Sequence, residues 1–287
     1  MNERYGLILE GGGFRGCYTA GAMKWLYDNG IEMPYVVSIS AAAAYSMYYI
    51  AKMFDRLHTF STREIKDKHV IGILPILTEG NIVGFNWLLK NSIQPDYKKL
   101  CDGIRNSNTI YEIGIYNMTR QELQYKRIDE MDEKGLLLKA SCTLPVSGKM
   151  VEVNGEKYLD GGIEVMISTE QAKKTGHDKQ LIIVTKDKNY VRKPNGFLLD
   201  TLIKIIYHKF PKMLKTLDGR VKTYYDEMDE VYRMEKEGDA LLIRPSRDCG
   251  VKRFSGSYEA LENMYQLGWQ DMEDRKEEIF RFLEIER

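Results

Sequence analysis

Residues 5–28 read YGLILEGGGFRGCYTAGAMKWLYD, and this stretch decides the fold. Tyr5 to Leu9 is a short apolar run that stops at a glycine cluster, the pattern of a buried parallel strand feeding a tight loop. Gly11 to Gly16 form that loop. Beyond it, Cys17 to Asp28 carries Tyr18, Ala22, Trp25 and Leu26 at helical spacing, and Asn29-Gly30 supplies a left-handed stop. The pattern then repeats: Pro34 restarts the chain, Tyr35 to Val37 reads as a second strand, and Ser38 to Ala44 runs directly into AAAAYSMYYIAKMF, a second helical stretch. Two βα units in succession imply a parallel α/β sheet.

Outward from this core, Ile110 to Met118 and Leu123 to Arg127 read as a strand pair, and Glu133 to Ser141 as a helix. Val151-Glu152-Val153 and Glu156 to Leu159 flank Asn154-Gly155, the strongest hairpin signal in the chain, and the second arm delivers Asp160-Gly161-Gly162. Leu181 to Thr185 is a further parallel strand. Between Ser61 and Gly103 the apolar islands Val70 to Leu77 and Ile82 to Leu89 read first as short helices covering the sheet, and second, with Phe85 and Trp87, as lining a channel or touching a membrane. After Pro194 come charged amphipathic helices (Phe197 to His208, Pro211 to Glu237), a strand at Ala240 to Arg244, and helix to Arg287.

The composition bounds the function. In 287 residues, 43% are hydrophobic, and 42 Lys+Arg balance 42 Asp+Glu. An α/β chain of this size buries roughly three quarters of its unfolded surface, so no disulfide or structural metal is required. The zero net charge and the lack of a long basic block argue against a nucleic-acid partner. Cys17, Cys101, Cys142 and Cys249 are scattered without a CxxC pair, as reduced thiols are, and no metal or cofactor is implied. No apolar run reaches the ~18 residues of a membrane span, and the first is too short for a signal peptide, so a cytoplasmic location is expected.

Gly11-Gly12-Gly13-Phe14-Arg15-Gly16 satisfies GxGxxG between strand and helix, but the acid that would hold a ribose at the end of the second strand is replaced by Ser38. A dinucleotide site is therefore disfavoured. Glycine amides at a helix N-terminus have another use, as donors to a developing oxyanion. A serine at the next strand-to-helix junction fits that use. Ser38-Ile39-Ser40-Ala41-Ala42 has the layout of a nucleophile elbow, with Ser38 and Ala42 where GxSxG has glycines. Ser40 sits at the junction and is the preferred nucleophile over Ser38; a helix N-cap is its other reading. Asp160 reads locally as either a general base or a turn residue.

Three segments in order, LILEGGGFRG, VVSISAAA and ASCTLPVSGKMVEVNGEKYLDGGI, together resemble the patatin-like phospholipase family, and LLIRPSRDCGVKRFSGSYEALENMYQLGWQD resembles the C-terminal region of its bacterial branch. The resemblance implies a three-layer α/β/α fold with a mainly parallel central sheet and a helical C-terminal extension. It implies an acyl hydrolase domain over residues 5–173 and a C-terminal region, 174–287, that completes the sheet. It further implies a serine hydrolase of lipid acyl esters working by a dyad, with Ser40 as nucleophile, Asp160 as base, and Gly11, Gly12, Gly13, Phe14, Arg15 and Gly16 as the oxyanion loop. Ile39 and Ala41 complete the elbow, and Gly161 and Gly162 the acid turn. Arg15 falls on the family's loop arginine, which stiffens the loop or faces anionic head groups, while Glu10 stands where many members have Asp. The departures at Ser38 and Ala42 leave a second expectation, a binding or scaffold protein of the same fold with impaired turnover. A triad would need a histidine after the acid. His177 and His208 qualify by order but read as surface residues, and His58 and His69 precede the acid. Membrane contact is expected to be peripheral.

Overall fold

Leu7 and Leu9 point to one side of the first strand and Ile8 to the other, and all three are completely buried, so this strand is covered on both faces. In a computed structural model that describes residues 2–285, it is β1 (Tyr5–Leu9), in the interior of an eight-stranded sheet. The others are β2 (Tyr35–Ile39), β3 (Ile110–Asn117), β4 (Glu122–Arg127), β5 (Val151–Val153), β6 (Glu156–Asp160), β7 (Lys179–Ile183) and β8 (Ala240–Ile243). Their order is β5-β6-β3-β2-β1-β7-β8, with β4 also paired to β3. The run β3-β2-β1-β7-β8 is parallel; β4 and the β5–β6 hairpin join antiparallel.

The two faces carry separate cores. Leu7, Leu9 and Val36 pack with helices α1 (Gly16–Asp28) and α2 (Ala41–Ile50) and with the helix Tyr258–Asp274, which lies along α1. Ile8, Tyr35 and Val37 pack on the other side against Tyr224, Met228, Val231 and Met234, one stripe of the helix Arg220–Glu237. The result is the expected three-layer α/β/α arrangement, with C-terminal helices contributing to both outer layers. The chain steps from β1 outward to β2 and β3 and then returns to the other side of β1 as β7, so the strand order reverses between β1 and β7 and a crevice is expected at their C-terminal ends, the usual place for a ligand in such a sheet. No described helix is long and apolar enough to cross a membrane.

Register places the site. All of β2, Tyr35 to Ile39, pairs with Ile110 to Gly114 of β3; the next residue of β3, Ile115, pairs with Asp160, the last residue of β6. β2 and β6 therefore run head to head along one edge of β3, and the residue after Ile39 meets the end of β6.

Three expectations need correction. The helix Ile73–Glu79 does not cover the sheet: Ile73, Ile76 and Leu77 are exposed, because Val70, Val83 and Phe85 beside it form their own small cluster. The helix read over Pro211 to Glu237 is two, Pro211–Asp218 and Arg220–Glu237, parted at Gly219. The last helix ends at Phe282, and of the stretch read on to Arg287, Glu286 and Arg287 lie outside the described residues.

Candidate active site

Ser40 stands between β2 and α2 with φ 59° and ψ −135°, a left-handed backbone that a non-glycine residue holds only at a cost of about 1–3 kcal/mol. The turn lifts its hydroxyl off the strand, and Oγ donates a 2.6 Å hydrogen bond to Asp160 Oδ2. The strain survives without the usual glycines. Ser38 is buried at the strand end with its hydroxyl 3.1 Å from that of Ser46, and Ala42 is buried in the first turn of α2. The Ser40 carbonyl accepts from Ala43 N at 2.9 Å and from Cys142 Sγ at 3.3 Å, which fixes the turn from two sides.

Asp160 is delivered by the β5–β6 hairpin. Asn154 (φ 51°) and Gly155 (φ 79°) both adopt the left-handed backbone that a two-residue primed turn requires, and this sets the register that ends at Asp160. Its backbone N–H is bonded to Thr143 O at 2.9 Å, and Gly162 N donates to Oδ1 at 2.7 Å, leaving Oδ2 for Ser40. The carboxyl is completely buried. Burial raises its pKa to about 6, against the opposing pull of the Ser40 hydroxyl, the Gly162 amide and the fields of Arg220 and Arg253. A carboxylate shifted this way is a far better proton acceptor than an ordinary aspartate, yet still ionised at neutral pH.

The glycine loop approaches from β1. A side chain at position 11 would place its Cβ 2.6 Å from that of Ser40, so only glycine permits this approach. Gly13 (φ 59°) lies flat against the backbone of Arg253, whose carbonyl accepts from Phe14 N at 2.9 Å. The Phe14, Arg15 and Gly16 amides are thus spent, the last two on the loop's own carbonyls, whereas among the described residues no acceptor is found for the Gly11, Gly12 and Gly13 amides. This narrows the six-residue loop to three amides that are open to a ligand in the cavity that holds Ser40.

Around these groups lies a cavity with about 1030 Å3 of unfilled space, part of it open to solvent. One wall is apolar, with Phe60, Ile65, Val83, Phe85 and Leu88; another carries Arg15, Lys186, Arg192, Arg220 and Arg253. Glu10 and Lys186, both buried, pair with each other, and Glu10 also accepts from Thr185 N and Oγ1. The Lys186 ammonium and these bonds hold Glu10 below its usual range even though burial opposes them. Sequence reasoning missed Arg192 and Arg220. No motif surrounds either, and only Arg253 lies in a stretch quoted for the family resemblance.

Among the described residues no histidine bonds to this pair. His177 is buried, contrary to the surface reading, because its ring stacks on Tyr35 at 4.1 Å. Tyr35 opens β2 and Ser40 follows its end, so His177 sits at the far end of the sheet. His58 bonds Glu262, His69 bonds Asp67, and exposed His208 bonds Ile205 O.

Comparison with known proteins adds two family matches. The family model described as patatin-like phospholipase matches residues 7–173, and one described as a domain of unknown function, DUF6363, matches residues 210–284. No curated protein sequence matches the chain. Among solved structures, VipD from Legionella pneumophila is similar in fold, with a TM-score of 0.50 and 13% identity over 96% of this chain and 67% of that one.

Proposed function

The chain belongs to the patatin-like phospholipase family, and on that premise we propose that it is a serine hydrolase of lipid acyl esters in which Ser40 is the nucleophile and Asp160 the general base. The observation that carries this reading is the 2.6 Å bond from a hydroxyl on a strained elbow to a buried carboxylate. Ser40 Oγ attacks the ester carbonyl carbon while its proton passes to Asp160 Oδ2. The free amides of Gly11, Gly12 and Gly13 are the donors available to the negative charge that develops on the carbonyl oxygen. Collapse expels the alcohol, which takes the proton from Asp160. A water then gives its proton to Asp160 as it attacks the acyl carbon, and Ser40 leaves as the hydroxyl. Turnover is favoured over the impaired scaffold because Ser38 and Ala42 leave the strained φ at Ser40 intact. We read residues 5–173 as the hydrolase unit and 174–287 as completing its sheet and its pocket.

The base must be ionised, so kcat/KM for a p-nitrophenyl ester should climb through about pH 6 and level off above it. A profile that climbs near pH 4, or one that requires a second group near pH 7, contradicts the buried-dyad reading.

Lipid access follows from the rim. Leu144 borders the pocket, and the segment it opens is bonded to two buried residues that lie close in sequence to exposed apolar helices: Val83 N donates to Ser147 O at 3.0 Å, and Val146 N donates to the Tyr207 hydroxyl at 3.4 Å. On one side Ile73 and Leu77 are each 73% exposed; on the other, Phe197 and Leu198 are more than 80% exposed. Apolar helix faces this exposed suit shallow contact with a bilayer surface. Phe197→Ser combined with Leu198→Ser should lower co-sedimentation with phospholipid vesicles severalfold, and unchanged binding would remove this helix from the contact.

A further inference from the structure

We propose that Arg192, Arg220 and Arg253 form an anion subsite beside Ser40 that takes a phosphate carried on the alcohol portion of the ester; the inference rests on the hydrolase reading above. All three guanidinium side chains line the cavity that holds Ser40 and Asp160. Among the described residues none has a carboxylate within ion-pair distance, in contrast to Lys186 in the same wall, which Glu10 neutralises. Arg192 is nine-tenths buried; its backbone N–H is bonded to the Tyr225 hydroxyl, and its guanidinium lies 4.9 Å from the centre of the Tyr224 ring. Arg220 Nε is fully enclosed without an acceptor.

Like charges gathered in a desolvated wall repel one another and are costly unless an anion joins them. The cost is visible at Arg220, whose guanidinium is pushed below its ordinary value by burial and by Arg192 and Arg253 beside it. Asp160 does not supply the missing charge. One of its oxygens is bonded to Ser40 and the other to Gly162. Glu227, a second carboxyl whose field reaches Arg192 and Arg220, accepts instead from Met166 N and Ile167 N, and burial pushes it up to about 8, so at neutral pH it does not supply the charge either. Planar guanidinium forks bind phosphate oxygens in pairs, and three of them suit the several acceptors of a phosphate better than the two of a carboxylate. With the acyl chain along the Phe60, Val83 and Phe85 wall and the carbonyl at Ser40, the alcohol portion is left to the cations. Arg220 and Arg253 lie within residues 210–284, so this assigns the matched region of unknown function a share of the substrate site.

The test compares lysophosphatidic acid with a monoacylglycerol of the same chain, substrates that differ only in the phosphate, using the full chain. The expected result is a kcat/KM ratio of about ten to a hundred in favour of the phosphate ester, the range of one or two charge-assisted hydrogen bonds. That ratio should fall about tenfold in Arg192→Gln and in Arg253→Gln. A parallel titration with inorganic phosphate should give binding that weakens about tenfold in the same variants. Phosphate binding that depends on these arginines, without any ester preference, keeps the anion site and assigns it to free phosphate. An equal rate on both esters together with no phosphate binding overturns the proposal. If no ester is cleaved while phosphate still binds through these arginines, the hydrolase reading fails and the subsite stands.

Discussion

Ser40→Ala is expected to lower kcat on a p-nitrophenyl ester by about 10⁴- to 10⁶-fold, the range for loss of a serine nucleophile whose binding and oxyanion groups remain in place. The fold should be little affected. Alanine keeps the φ of 59° and its strain, and the lost hydroxyl leaves Asp160 Oδ2 without that hydrogen-bond donor but with the field of two arginines. Ser40→Gly removes the strain as well, so it should melt higher than Ser40→Ala by about 1 kcal/mol of stability. Equal melting of the two variants would mean that the elbow is not held under strain, and retained activity in either would move the nucleophile elsewhere.

Asp160→Asn should act in opposite directions on rate and stability. Without a base the rate falls by about 10³- to 10⁴-fold. The stability effect depends on pH, and its sign follows from the direction of the shift. The folded-state pKa of about 6 lies above the ordinary 3.8, so the acid form of Asp160 is the one the fold favours. Its contribution is fully present below about pH 4 and is lost as pH rises through about 6. Asparagine cannot ionise and escapes that loss. Relative to the parent, the variant should therefore gain about 3 kcal/mol between pH 4 and pH 8, two pKa units at about 1.4 kcal/mol each. With the amide oxygen kept on Gly162 N–H, the amide nitrogen donates to Ser40 Oγ and the Ser40 proton loses its acceptor, at a cost of about 1–2 kcal/mol at every pH, so the variant should be the less stable protein at pH 4 and the more stable one at pH 8. Denaturant melts across that range measure it, and a pH-independent difference would show that the carboxyl is not held in the shifted state.

Much of this was legible in the sequence because the signals are local. The apolar run before three glycines, the small residues of α1, and Asn154-Gly155 each dictate their own backbone, and each element stands where the pattern put it. The meeting of Ser40 and Asp160 is different. It depends on β3 being long enough to pair with β2 as far as Gly114 and with β6 from Ile115 onward, a register that neither partner strand encodes alone. The cationic wall was illegible for the same reason. Arg192, Arg220 and Arg253 come from three separate stretches, and only tertiary packing strips them of water and of carboxylates. His177 and the helix Ile73–Glu79 show the converse error. Polar neighbours made a buried ring look solvated, and an apolar run made an exposed helix look like core.

The most direct measurement is covalent labelling with a fluorophosphonate, followed by peptide mapping of the adduct across pH. The account predicts a single adduct on Ser40 that forms faster as pH rises through about 6 and that is lost in Ser40→Ala and slowed by orders of magnitude in Asp160→Asn. An unlabelled chain, or an adduct on any other serine, would contradict it.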